Sequence, residues 1–412
     1  MGDVEKIVIV GGGIAAGRAT TALRRHGWDG SLIVVTEERY APYERPPLSK
    51  DLLLHPVSEP SSAFVASEDW YAENDVDLRT ETRATRLDLA ASVVEVEKEV
   101  IPYDRLLIAT GARPRPLPPG VLHGPSGAAL IYLRTIDQSV SIRERLAPGA
   151  QVVMIGGGWI AMEVAAAARL AGCDVTVLER GRLPLLGSLG WPVAHRFTDL
   201  HRSHGVDVRV NTSVSSVEAG DDQAVVELVG GERLVADLVV VGIGARPNTE
   251  LAAAAGLAVS DGIDADRFLR TASSEVFVAG DVANPFHPGY GRHLRLEHWD
   301  NGLHQGELAA ANLISAPAEY ARTPYFFTDQ FELGMEMCGH LDRGLVYETV
   351  VRGDISSDSF AVFWLSDDRV AAGLHVNEWD AMGDIRTLVE ARALVDSDRL
   401  ADSGVGLDHQ AV

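Results

Sequence analysis

Two short glycine turns, each trailed by a carboxylate, carry the clearest chemistry in this sequence of 412 residues. The first is Gly11-x-Gly13-x-x-Ala16, with Ile14 and Ala15 inside it and Glu37 following 24 residues after Gly13. The second is Gly156-x-Gly158-x-x-Ala161, with Trp159 and Ile160 inside it and Glu179 following 21 residues after Gly158. In such a turn the first glycine permits a tight bend and the second lets backbone amides approach a pyrophosphate. The third position must be small so that helix and strand can pack. The anion then rests on a helix N-terminus, where unpaired N–H groups and the dipole favour negative charge. Each trailing carboxylate can accept the hydroxyls of an adenosine ribose. One turn alone is a weak signal. Two of them, 145 residues apart and each with its own acid, predict two dinucleotide sites on one chain.

These turns need strands behind them and helices ahead. Residues 6–20 (KIVIVGGGIAAGRAT) read as a buried parallel strand, a turn and an alanine-rich helix, and LIVVTE supplies the next strand. Residues 151–179 repeat the unit. Residues 84–89 and 92–96 alternate as a meander, and further buried strands precede Gly242 and the Gly280-Asp281 pair. Lys50 enters a short helix, where a cation opposes the dipole, so a partner is expected: a carboxylate or a bound electron carrier. Glu163 lies one turn into the second glycine-turn helix, where a carboxylate suits the dipole.

Bulk properties remove several function classes. A net charge of −23 argues against nucleic acid and anionic membrane surfaces as general partners. The two cysteines, Cys173 and Cys338, fit no disulfide framework or metal spacing. The histidines and arginines of residues 287–304 also match no ligand pattern, so no metal site is expected. No signal peptide pattern precedes the first strand, and the longest uncharged apolar run, 152–162, is too short for a bilayer. A cytoplasmic protein is expected.

The octapeptide at 43–50, YERPPLSK, makes the reading specific. Together with the two turns, the ATG at 109–111 and the GD at 280–281, it resembles the FAD-dependent NADH:ferredoxin reductases of oxygenase systems, the putidaredoxin reductase and biphenyl dioxygenase reductase family. The resemblance implies an α/β, glutathione-reductase-like fold with two Rossmann-like dinucleotide-binding domains and an α+β C-terminal domain. By that likeness residues 1–111 and 244–320 bind FAD, 112–243 bind NADH, and 321–412 form an interface-like domain ending in a disordered tail. The loop carrying Arg45 and Lys50 would lie against the isoalloxazine ring, with Lys50 near N5 and paired to Glu163, which meets the nicotinamide carboxamide. Ala84, Arg134, Asp281 and Trp299 match FAD contacts, and Gly242, Glu297 and Trp159 match positions around NADH or the flavin. Glu179 favours NADH over NADPH, although Arg180 behind it can accommodate a phosphate. Relatives carry a second arginine after Arg182, where this chain has leucines, and tryptophan at Phe327. With no cysteine between residues 37 and 60, electrons would pass directly to a two-iron ferredoxin, docked on a patch including Arg292 and Arg295. Rubredoxin reduction, NADH oxidation and an apoptosis-inducing-factor-like binding role stay open on the same scaffold.

Overall fold

Successive residues of a strand point to opposite faces, so the run Ile7-Val8-Ile9-Val10 must be covered on both sides. In the computed structural model, which describes residues 4–55, 59–97, 99–124, 127–315, 317–342 and 344–410, that is what happens. Strand Lys6–Val10 is central in a parallel sheet ordered Val276–Val278, Arg105–Ile108, Lys6–Val10, Ser31–Val35, Val76–Arg79. Ile7, Ile9, Leu32 and Val34 pack on one face against alanines of helices Ile14–Arg25 and Trp299–Ile314. Val8, Val10, Ile33 and Val35 pack on the other face against Leu87, Val94 and Ile101. Those three come from an antiparallel sheet of Ala84–Asp88, Val93–Val96 and Glu99–Pro102. Each fully buried branched side chain contributes about 1.5–3 kcal/mol relative to exposure, so the uninterrupted apolar run is itself the stabilising element. These parts belong to a first compact unit within residues 4–46, 59–113 and 245–322.

A second unit lies within residues 47–55, 114–244 and 323–410. Its parallel sheet runs Leu130–Ile131, Leu238–Val241, Gln151–Ile155, Asp174–Leu178, Asp207–Arg209. Residues 323–410 add an antiparallel sheet, Tyr325–Gln330, Leu333–Gly339, Arg369–Val376, Phe360–Ser366, Glu348–Gly353. Helix Met382–Glu390 covers it with Ile385, Leu388 and Val389 on Ala361, Phe363 and Leu365. Residues 47–55, which the sequence reading assigns to the first domain, pack within this second unit: Ser139 donates to the Leu48 carbonyl (2.7 Å) and Arg143 to that of Leu52 (3.2 Å).

The C-terminal stretch corrects an expectation. The last dozen residues read as a disordered tail, yet Leu407 is buried in the core beside Leu400. The buried Arg352 guanidinium donates to the carbonyls of Leu400, Asp402, Ser403 and Val405. One cation satisfying four carbonyls holds a glycine- and aspartate-rich segment that composition alone marks as loose. Residues 411 and 412 lie outside the described residues.

Candidate functional site

The first glycine turn is built as its spacing predicts. Gly11 has φ +147°, and a Cβ there would sit 2.1 Å from the Ala109 carbonyl oxygen. Only glycine fits so close an approach. Gly13 caps helix Ile14–Arg25 with no side-chain hydrogen bond, the first turn holds no acid, and an added Cβ would meet nothing within 4 Å. The space over Gly13 at the head of the helix is therefore open, as a pyrophosphate resting there needs. Ile14, Ala15 and Ala16 are buried behind it, and a Cβ on Gly280 would come within 3.1 Å of Ala15. Gln305 accepts the Gly280 N–H at 2.8 Å and so orients the turn that presents Asp281.

Arg45 stacks over Tyr43 (4.2 Å) and pairs with Glu38 at 2.6 Å. Burial opposes its charge, but Tyr43, Glu38 and Asp281 hold its pKa above the ordinary value. Glu37 lies two residues past strand Ser31–Val35, its side chain 63% exposed and within 3.7 Å of Arg83. Trp299 opens helix Trp299–Ile314 and donates its indole N–H to Glu44 at 3.0 Å. Ala84 opens its strand half-buried. All of these share the first unit.

The basic patch is not what sequence suggests. Arg295 is only 10% exposed and is held by Asp261 (3.2 Å) and Glu297 (2.5 Å). Its charge is answered by two carboxylates of the same unit, and Glu297 is engaged by that pairing. Arg292 is exposed on strand Arg292–His293. Among the proposed docking arginines only Arg292 faces solvent in this way.

In the second unit Gly156 (φ +101°) backs onto Gly242, whose carbonyl oxygen would lie 2.5 Å from an added Cβ. Gly158 caps helix Trp159–Leu170, again without a side-chain bond. Glu179 reaches the turn directly, accepting the N–H of Gly157 (2.8 Å) and of Gly181. Arg180 is exposed. Arg182 stacks on Trp191 at 4.8 Å. The leucines that stand where relatives have an arginine include Leu183 and Leu185, both buried, so core packing occupies that position. Trp159 is the first helical residue, its ring 4.4 Å from Phe326, and Ile160 beside it is 40% exposed. Arg134 lies in this unit, at the head of helix Ile136–Arg145, and not in the unit that contains Gly11.

The same unit brings Lys50 and Glu163 together across 113 residues of sequence, Nζ to Oε1 at 2.5 Å. Lys50 stands at the start of helix Asp51–Leu54, with its Nζ also 5.6 Å from the Phe327 ring centre. Two donors that sequence reasoning missed complete the carboxylate. Ser49 donates to Oε2 (2.5 Å) and Thr328 to Oε1 (2.6 Å). Glu163 is 7% exposed, and a carboxylate so buried requires donors of this kind. Ser49 adjoins Lys50 and was within reach of inference. Thr328 is 165 residues from Glu163, and no local pattern marks it. Nearby, burial pushes the Asp329 carboxyl up, Lys50 opposes this, and Glu163 adds to it.

Behind Thr328, His201 is fully buried against Gln330 (2.9 Å), and burial lowers its pKa to about 4, the Gln330 bond opposing and His204 adding. Its depressed value makes the folded state bind fewer protons than the unfolded chain between about pH 6.5 and 4. Stability from this group is therefore complete above about 6.5 and falls as pH drops toward about 4. Urea titrations across that range should show the parent losing stability with a slope steeper than His201→Gln by about one proton.

The comparisons with known proteins agree with this architecture. The model described as pyridine nucleotide-disulphide oxidoreductase matches residues 5–306. The chain belongs to that family. A reductase C-terminal model matches 325–411. The chain is 40% identical over 410 residues to the anthranilate 1,2-dioxygenase system ferredoxin–NAD(+) reductase component of Burkholderia cepacia, covering 98% of this chain and 99% of that one. It is 36% identical to putidaredoxin reductase CamA of Pseudomonas putida, covering 98% and 96%. Its structure matches the reductase in the covalent putidaredoxin reductase–putidaredoxin complex with a TM-score of 0.91 at 36% identity, 98% of each chain being covered. This oxidoreductase is thus a flavoprotein reductase of the α/β class with FAD and NADH as its cofactors. The disulphide in the family name has no counterpart here, since Cys173 and Cys338 are buried and neither forms a disulfide.

Proposed function

We propose that this oxidoreductase takes hydride from NADH and delivers electrons singly to a two-iron ferredoxin that feeds an oxygenase. The observation that carries the reading is the coexistence of two glycine turns at helix starts without side-chain caps and a Lys50 loop that holds no cysteine between residues 37 and 60. FAD, when bound, supplies the conversion between a two-electron donor and a one-electron acceptor.

The chain's own residues bind, orient and shield. The amides behind Gly11 and Gly13 receive the FAD pyrophosphate, with Glu37 toward the ribose and Arg45, Ala84, Asp281 and Trp299 lining the same unit. The amides behind Gly158 receive the NADH pyrophosphate, and Glu179 takes the ribose 2′-hydroxyl while repelling a 2′-phosphate. Glu163, already fixed by three donors, orients the carboxamide, and Lys50 holds that carboxylate in place. Trp159, whose ring rests on Phe326, covers the flavin and swings aside to let nicotinamide in. Arg134 lies in the second unit, and Glu297 is held by Arg295. No side chain acts as nucleophile. A cytosolic location goes with this reading; no helix among the described residues is long and apolar enough to cross a membrane.

The deciding assay is NADH-driven cytochrome c reduction with and without a two-iron ferredoxin, repeated with NADPH. Strong stimulation by ferredoxin and preference for NADH are expected. Turnover that no two-iron ferredoxin stimulates would overturn the proposal.

A further inference from the structure

Glu163 is the end of a longer buried chain of hydrogen bonds, and the direction of every link follows by elimination. An ion-paired carboxylate only accepts, so the Thr328 hydroxyl spends its one hydrogen on Oε1 at 2.6 Å. The Thr328 oxygen must then accept from Gln330, whose Nε2 is 3.2 Å away. That turns the amide so that its Oε1 faces His201. An amide oxygen cannot donate, so His201 Nε2, 2.9 Å away, carries the ring hydrogen. The bare Nδ1 is left with no hydrogen-bond partner among the described residues.

Three elements contribute. His201 comes from helix Leu186–Ser203, and Glu163 from helix Trp159–Leu170. Thr328 and Gln330 are two apart on strand Tyr325–Gln330, hence on one face of it. Exposure of His201, Thr328 and Gln330 is 0%, 0% and 1%. Burying this much polarity costs stability that valine, leucine and phenylalanine of similar size would avoid. A purely structural contact would not need it.

We propose that His201, Gln330 and Thr328 are a one-way positioning chain that locks the rotamer of Glu163 toward the nicotinamide carboxamide. The inference rests on the reading of Glu163 given above. No bond to hydrogen breaks in it; each donor holds its proton and directs the next group. Without the chain Glu163 would keep Lys50 and Ser49 but gain freedom about its last torsion, and productive alignment of NADH would be lost more than binding.

The test has two arms on the full-length, FAD-loaded chain. In ¹⁵N-histidine NMR, with His201 assigned by difference from His201→Gln, the parent should show the Nε2–H tautomer, and Thr328→Val should displace the Nε2 resonance. In stopped-flow reduction by NADH, Thr328→Val should lower the hydride-transfer rate about tenfold, or about 1.4 kcal/mol of barrier, with a smaller change in NADH affinity, and Thr328→Ser should restore both. Should the valine variant not fold, Gln330→Leu serves with the same readouts. An Nδ1–H tautomer, or parental hydride transfer in Thr328→Val while Glu163→Gln is slow, overturns the chain. Parental rates in Glu163→Gln would instead overturn the role of Glu163, and the tautomer would still decide whether the chain exists.

Discussion

Glu163→Gln is expected to slow NADH-driven flavin reduction by about 100-fold, the scale seen when one preorganised electrostatic group is removed from a reacting centre. The amide keeps the shape of the side chain but loses the charge that faces Lys50 at 2.5 Å and cannot accept all three present donors in the same way. The lysine, with 16% of its side chain exposed, is left without its counter-charge. Breaking a buried pair from one side costs about 3–5 kcal/mol, so the single variant should also melt earlier. A double variant, Lys50→Met with Glu163→Gln, separates the two effects: stability should return toward the parent while hydride transfer stays slow. Stopped-flow reduction and urea unfolding of the four proteins form the cycle. Recovery of the rate along with the stability would show that the pair serves the fold and not the chemistry.

Gly11→Ala and Gly13→Val should part company in the first cradle. At Gly11 an added methyl meets backbone, the Ala109 carbonyl oxygen at 2.1 Å, in a conformation that L side chains rarely adopt. The strand and the segment around Ala109 would have to separate, so little folded protein is expected. At Gly13 the ideal Cβ meets nothing, and its φ of −97° is open to any residue. Gly13→Val should therefore fold with parental far-ultraviolet circular dichroism yet purify without yellow colour, because its methyls occupy the space above the amides where pyrophosphate would bind. FAD titration followed by flavin fluorescence should show affinity weakened at least about 100-fold. Tight FAD binding by this variant would remove the assignment of the first cradle.

Much of this protein was legible because its key signals are local. A strand, a tight turn, a helix start and an acid some 20 residues on lie within one supersecondary unit, so Gly11, Gly13, Gly156, Gly158 and Glu179 could be placed from spacing alone. The unbroken apolar runs likewise announced parallel strands covered on both faces. Lys50 was legible in a weaker way: an unfavourable charge at a helix start implied a partner without naming its position, and the likeness to reductases supplied Glu163.

Tertiary structure alone decided the rest, since burial and long-range pairing leave no trace in spacing. Arg295 reads as a surface charge in a basic stretch, but its side chain is largely buried and pairs with Asp261, 34 residues earlier. The final residues read as loose until Arg352 gathers their carbonyls. Thr328, Gln330 and His201 look ordinary in sequence, and only the packing of one strand against two helices turns them into a line that ends at Glu163. Local chemistry is written in neighbouring residues; the environment of a buried charge is set by whichever distant segments the fold brings to it.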